Sequence, residues 1–409
     1  MANSIASSNM TTMFDEIIQE ADIKVGLSKS LEVYRKDDEA WQQANGTVWI
    51  PEAYNLETQD GFDSTGTEED LIDRMIPVNL AKKKHIKVVI GAEQLRDGRI
   101  STEAKKAMVR QIKNTIDIAC FEEIINRGTM LVRSTSDFIY GNAVSANVLM
   151  DDAGLSGFEQ KLCLSTPHYS QIAETLGTSA FKDSTNLSAF EKLQIPQVAG
   201  FQSMKADYRK SLAGNATTGL TVNGNQSHTV ATYTDANKDN YLDNSQMTLA
   251  VTGATAGNMP KGTKLNIAGV FGVQGATRED LGSLKTFSVV SAAAGSVVIS
   301  PAIIITGPNK NCSAQAATGV AITVLNTTTS APSIFYTDDS VYLVPGRLPV
   351  ASEATNIATE EMVMENGIPV RFSYWWSPDA EKLNIKIVLF FDVVVTSPEK
   401  VGLILANQA

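Results

Sequence analysis

TFSVVSAAAGSVVISPAIIIT, residues 286–306, decides the reading of the chain. Apolar and small polar residues run in short strand-like stretches on either side of Ala294-Gly295, so the segment predicts strands separated by a tight reversal. The same texture extends outward in GLTVNG (219–224), HTVATYT (228–234), MTLAVTGA (247–254), TKLNIAGV (263–270) and GVAITVLN (319–326). Only 11 charged residues fall between 214 and 330. Evenly spaced short strands with turn residues between them predict a small β-barrel or sandwich.

Both flanks are different in kind. Upstream, GFEQKLCL (157–164), HYSQIAETLG (168–177) and LSAFEKLQI (187–195) suggest helical patches. Downstream, the mixed pattern resumes with SIFYTDDSVYLVPGRLPV (333–350) and ends in the apolar strands LNIKIVLFFDVVV (383–395) and VGLILA (401–406). An all-β block bounded on both sides by mixed α/β text is the mark of a domain inserted into a loop of another. A chain of 409 residues has room for two to three domains of about 150 residues.

The clearest helix opens at Ser101, carries Glu103 in its first turn and stops at Arg127 before Gly128. Its roughly 27 residues would span about 40 Å. Val109, Ile112, Ile116, Ala119, Cys120 and Ile124 form one apolar stripe, and Lys105, Lys106, Arg110 and Lys113 lie mostly off it. Residues 10–35 carry apolar positions at helical spacing and predict an N-terminal helical arm. Between them GTVWIP (46–51), a polar stretch through 57–70, MIPVNLA (75–81) and HIKVVIGA (85–92) read as a long two-stranded excursion. A projecting hairpin is marginal alone, so its edges are expected to pair with something else.

Composition removes several function classes. Thirty-four Lys and Arg against 45 Asp and Glu leave a net charge of −11, the wrong sign for wrapping nucleic acid. A weakly acidic container wall, by contrast, lets packed DNA lie against it without sticking. Cys120, Cys163 and Cys312 are far apart and make no disulfide framework or zinc spacing, which fits a reducing cytoplasm. No window of about 18 apolar residues suggests a membrane span, and the N-terminus lacks a signal-peptide pattern.

The search for catalytic chemistry finds little. His85, His168 and His228 stand in no HExxH, nucleophile elbow or Cys/His pairing and read as surface or core histidines. Gly269, Gly272 and Gly275 have the wrong spacing for a dinucleotide fingerprint. Asp235-Ala-Asn237-Lys238-Asp239-Asn-Tyr-Leu-Asp243 echoes a calcium loop, but Asn240 replaces the turn glycine and Gln246 the closing glutamate. An acidic exposed loop that pairs with a basic partner is the better reading, so Asp235, Lys238, Asp239 and Asp243 are candidate intersubunit contacts. Lys82, Lys83 and Lys84 form a basic run about a dozen residues beyond Glu68, Glu69, Asp70 and Asp73, and charge pairing along or between hairpins is expected in preference to DNA contact.

Taken together, FDEIIQE (14–20), GTVWIP, TQDGFD (58–63), EQLRD (93–97), NRGTMLV (126–132), QVAGF (197–201) and TGLTVNGNQS (218–227) resemble the coat proteins of the short-tailed phage P22 and its relatives. KGTKLNIAGV (261–270), TFSVVSAAAGSVVISP (286–301), FYTDDSVYLV (335–344) and FFDVVVTSPEKVGL (390–403) continue the resemblance to the C-terminus. It implies an α+β Hong Kong 97-type capsid fold with an inserted all-β barrel. Residues 1–35 would be the N-terminal arm, 36–90 the extended loop and 91–132 the peripheral domain with its spine helix. Residues 133–216 and 329–409 would form the axial domain, with a return to the peripheral domain, and 217–328 the inserted barrel. The loop at 235–244 would reach a neighbouring capsomer. The function implied is that of a major capsid protein, not an enzyme, which self-assembles as hexamers and pentamers into an icosahedral virion shell in the host cytoplasm. Scaffolding protein, portal and packaged double-stranded DNA are the implied partners, with no cofactor, no metal and no membrane. The alternative is another virion β-protein, such as a tail or decoration subunit, which the barrel alone would suit but the long helix would not.

Overall fold

A computed structural model of the chain describes residues 16–17, 26–34, 47–56, 74–80, 82–91, 93–94, 98–177, 197–206, 210–230, 243–346, 358–364 and 367–408. In chain order, strands β1 (Glu32–Val33), β2 (Thr47–Pro51), β3 (Met75–Asn79) and β4 (Lys82–Gly91) precede helix α1 (Gly98–Arg127). Then come β5 (Met130–Arg133), α2 (Tyr140–Asp152), β6 (Gln160–Leu164), α3 (Thr166–Gly177), β7 (Gln197–Val198) and β8 (Phe201–Lys205). The β block holds β9 (Leu220–Val222), β10 (Met247–Thr252), β11 (Lys264–Val273), β12 (Asp280–Ala293), β13 (Ser296–Ser300) and β14 (Ala321–Val324). The chain ends with β15 (Ser333–Thr337), β16 (Val341–Pro345), β17 (Ala358–Val363), β18 (Pro369–Ser377), β19 (Lys382–Val395) and β20 (Val401–Leu405).

Two compact units emerge, one of residues 1–48, 78–120 and 342–394, the other of 49–77, 121–341 and 395–409. In the first, β1, β16, β19, β18 and β17 lie in that order, and β4 also pairs with β19. One face of this sheet is apolar and closed, with Val370, Phe372, Ile385, Ile387 and Leu389 buried. The alternate residues face outward, as the two-residue period requires. Asp117, buried on α1, accepts from the backbone N–H of Ser28 at 3.3 Å and so ties the segment at 26–28 to the helix.

The second unit contains the closed barrel, ordered β10, β13, β12, β11, β14 and β9. Leu249, Ile267, Phe287, Val289, Val297 and Ile299 fill its interior, which is how a barrel of few strands becomes a core and not a channel. Its two ends leave side by side: Leu212 and Ser330 exchange backbone hydrogen bonds of 2.9 and 3.2 Å, and Asn215 N–H donates to Asn326 O at 2.7 Å. A module whose entry and exit touch can be added to a loop without reshaping its host. Gly214 permits that closeness, because a Cβ there would lie 2.6 Å from the Thr329 amide nitrogen. The remaining sheet of this unit runs β5, β20, β15, β6, β8 and β7, and α2 and α3 share its apolar core through Ala143, Ala146, Met150, Tyr169 and Ile172.

Several expectations change in detail. Helix α1 starts at Gly98, three residues before Ser101, which takes Glu103 out of its first turn. Its stripe from Val109 to Ile124 is buried as expected. Gly128 closes the helix by proximity: a Cβ there would meet Ile124 O at 3.0 Å and Val401 Cγ1 at 3.1 Å. GFEQKLCL contains a strand, β6, and not a helix, since Leu162, Cys163 and Leu164 are consecutive and all buried. A run buried on successive residues suits a sheet covered on both faces. Beyond Ser300 the expected strand ends, although Ile303 and Ile304 still pack in the barrel core. Asn311 replaces the missing ladder, accepting from Ile304 N–H at 3.0 Å and donating to Ala302 O at 2.9 Å. The turn Asp338–Ser340 divides β15 from β16 and sends them to different sheets. The hairpin consists of β2 and β3 alone; β4, expected on the same excursion, is a member of the six-stranded sheet. The proposed helical patch at 187–195 and most of the arm at 10–35 lie outside the described residues; at its described end the arm is not an α-helix but a 3-10 turn, Leu27–Ser30, and strand β1, which pairs with β16.

Candidate assembly interfaces

The hairpin root carries a polar network shared with the barrel. Glu52 N–H donates to Arg74 O at 2.9 Å, closing the base of the hairpin, and the Arg74 guanidinium pairs with the Glu52 carboxylate at 2.6 Å. Asn309, from a barrel loop, accepts from both Arg74 Nη1 and Asn55 Nδ2 at 3.0 Å. Lys285 and Asn311 of the barrel donate to Glu399 Oε1 at 2.8 and 2.9 Å. These side chains line one cavity of about 570 Å³. Burial pushes the Glu52 carboxyl up to about 7, and the nearby Glu399 and Asp243 carboxylates add to the rise while Arg74 opposes it. For Glu399, burial raises the carboxyl, but Lys285, its hydrogen bond, Asn311 and Arg74 together outweigh that and hold it below its ordinary value. Glu52 is thus the group of this cluster whose charge changes near neutrality.

A second junction joins barrel to helix. Lys264 is completely buried, and its Nζ donates to Ser288 Oγ at 2.9 Å and to Asn126 O at 3.2 Å. Ser288 Oγ also donates to Asn126 O. A cation at the C-terminal carbonyls of a helix is favourably placed. Burial, with Arg127 nearby, nevertheless drives the Lys264 ammonium well below its ordinary value. Lys261 adds an outer ion pair to Glu123 at 3.5 Å.

Of the expected contact residues, Lys82 pairs with Asp392 at 3.0 Å, and Lys84 is exposed. Lys83 is exposed as well, its Nζ 5.5 Å from the Phe390 ring centroid. Asp243 spends its carboxylate locally, accepting from Ser245 N–H at 2.9 Å and Gln246 Nε2 at 3.0 Å, while its backbone bridges to Met75. Asp235, Lys238, Asp239, Glu68, Glu69 and Asp70 lie outside the described residues. Neither Glu52 and Arg74 nor Lys264 was singled out by sequence reasoning. For Lys264 the available signal was its isolation, as one of 11 charged residues in a block of 117.

Among the described residues no cluster of three or more His, Cys, Asp or Glu could hold a metal ion. The nearest approach to a nucleophile and base is Ser333 Oγ, 2.7 Å from His168 Nδ1. Both are buried, the imidazole stacks on Phe138 with centroids 4.5 Å apart, and burial lowers it to about 4. This is a core histidine. His228 Nε2 lies 3.1 Å from Asn244 Oδ1, and His85 is exposed on β4.

A family model described as P22 coat protein, gene protein 5, matches residues 1–406. The chain belongs to the P22 coat protein family. Its function is that of the family, a major capsid protein of a tailed phage, and the barrel and long helix are parts of that capsid fold. Solved structures are similar over most of the chain at low identity. One of Mycobacterium phage Che8 is 8% identical with a TM-score of 0.44, covering 91% of this chain and 88% of that one. The asymmetric unit of the bacteriophage PhiM1 mature capsid is 10% identical with a TM-score of 0.42, covering 92% and 91%. The CUS-3 coat protein I-domain is 32% identical over 27% of this chain and 99% of its own, with a TM-score of 0.22.

Proposed function

We propose that this coat protein closes into an icosahedral shell of hexamers and pentamers in the host cytoplasm, around a scaffolding protein and a portal, and then encloses double-stranded DNA. The observation that carries the reading is the family match across 1–406. The segments divide as the resemblance implies: arm at 1–35, extended loop at 36–90, peripheral domain at 91–132, axial domain at 133–216 and 329–409, barrel at 217–328. In this division β2 and β3 form the projecting part of the extended loop, and its last strand, β4, is laid into the six-stranded sheet. A chain of this kind leaves surfaces that become satisfied only in the oligomer, so its stability depends on its own concentration. Asp235, Lys238, Asp239, Asp243, Glu68, Glu69, Asp70, Lys82 and Lys84 act in intersubunit charge pairing, while Lys83, expected with them, lies on the other face of β4; Lys84 is exposed, whereas Asp243 and Lys82 already have partners within the chain.

Light scattering coupled to size-exclusion chromatography tests the proposal. The expected profile holds monomers together with particles of megadalton mass that grow when scaffolding protein is added. A single small oligomer, unchanged by concentration or scaffold, would refute it.

A further inference from the structure

The outward face of the six-stranded sheet is basic, in a chain whose net charge is −11. Register places these side chains together. Lys83, His85, Lys87 and Val89 alternate on β4, opposite Phe390, Val388, Lys386 and Asn384 of β19. Arg371 and Trp375 of β18 stand opposite Val388 and Asn384 in turn. Lys83, His85, Lys87 and Lys382 are exposed, and Lys386 is partly so. Lys83, Lys87, Lys382 and Lys386 have no carboxylate within ion-pairing distance among the described residues. Lys83 and Lys87 rest over aromatic rings instead, at 5.5 Å from Phe390 and 5.4 Å from Trp375.

Lys87 and Lys386 are directly paired. Like charges directly opposite in a ladder destabilise it, so the fold itself gains nothing from this pair, and a counter-charge from outside is the natural compensation. We propose that this face binds the phosphodiester backbone of nucleic acid without regard to sequence. Lysines are point charges on flexible stems, and on this face they outnumber the planar guanidinium of Arg371, whereas a specific acidic peptide calls for planar forks and a pocket. They suit a ligand whose negative charge repeats evenly. Lys83 and Lys87 lie about 13 Å apart along the strand, enough to meet successive parts of one backbone. The overall negative charge keeps each contact weak, so that packed DNA is located without being held fast. The choice of nucleic acid as occupant rests on the shell function proposed above, since a coat subunit meets the genome at high local concentration.

The test is fluorescence anisotropy of a labelled DNA duplex with the full-length, unassembled coat subunit, against the triple variants Lys83→Gln/Lys87→Gln/Lys386→Gln and Lys83→Glu/Lys87→Glu/Lys386→Glu. The wild-type chain is expected to bind at low salt, with log K falling against log salt at a slope of about −3. The neutral triple variant is expected to lose at least about tenfold in affinity and most of that slope, with an unchanged circular dichroism melt. An unchanged slope in the folded neutral variant overturns the proposal. So does tighter binding of a polyglutamate peptide than of DNA at equal charge, which would assign the face to an acidic protein partner. Shell formation is scored separately: variants that assemble but no longer bind DNA support this inference, whereas a wild-type chain that binds DNA but never forms shells counts against the shell function alone.

Discussion

At the residue scale the fold depends on a few positions where one atom decides. Gly402 on β20 lies opposite Phe335 of β15, and a Cβ at 402 would fall 2.1 Å from Phe335 Cζ. Gly402→Ala is expected to destabilise the chain by about 1–3 kcal/mol or more, as overpacking does. Adding Phe335→Leu should recover part of that loss, so the double variant in urea unfolding will be more stable than the sum of the singles predicts. Lys264 offers a second test, because its stem fills core volume while its amine serves Asn126 and Ser288. Lys264→Ala should cost about 2–5 kcal/mol, in the range of large-to-small core changes, and Lys264→Met less than half of that. Equal losses for the two variants would show that the amine and not the stem is what matters. None of these roles is legible in the sequence. A glycine inside VGLILA looks like a defect in a strand until the ring opposite it is known.

At the scale of elements, period and composition were enough for the long helix, most barrel strands and the terminal strands, whereas HTVATYT is no strand at 228–230 and otherwise lies outside the described residues. They failed where partners decide. GFEQKLCL has residues that either element accepts, and only burial on both faces selects β6. Strand β4 leaves its expected hairpin for β19. The hairpin root adds a pH dependence. Glu52 is raised to about 7 by burial and by its carboxylate neighbours, so the folded chain binds a proton there that the unfolded chain has released. That contribution is fully present below the unfolded value near 4.5 and is lost as pH rises through about 7. Thermal melts of the unassembled chain should therefore show Glu52→Gln gaining stability relative to wild type between about pH 5 and about pH 8. A constant difference across that window would show that Glu52 does not titrate there.

At the scale of the whole molecule the sequence was most informative about architecture and least about contact. Low charge density marked the inserted block, and the structure supplies the reason it can be inserted, the adjoining ends at Leu212 and Ser330. The proposed pairing of the charged loop at 235–243 and the acidic stretch at 68–70 illustrates the converse, because a partner on another copy leaves no mark in the sequence of one. If the loop makes intersubunit salt bridges, Asp239→Lys will impair assembly most strongly at low salt while leaving the melt of the unassembled subunit unchanged. Turbidity during assembly at two ionic strengths reads this directly, and assembly at the wild-type rate in both would remove Asp239 from the interface.

Electron cryomicroscopy of particles from cells producing this chain together with its phage's scaffolding protein is the most direct test of the account. Closed icosahedral shells are predicted, with the barrel resolved as a separate lobe on each subunit. Discrete small oligomers, or tubes built from the barrel alone, would contradict it.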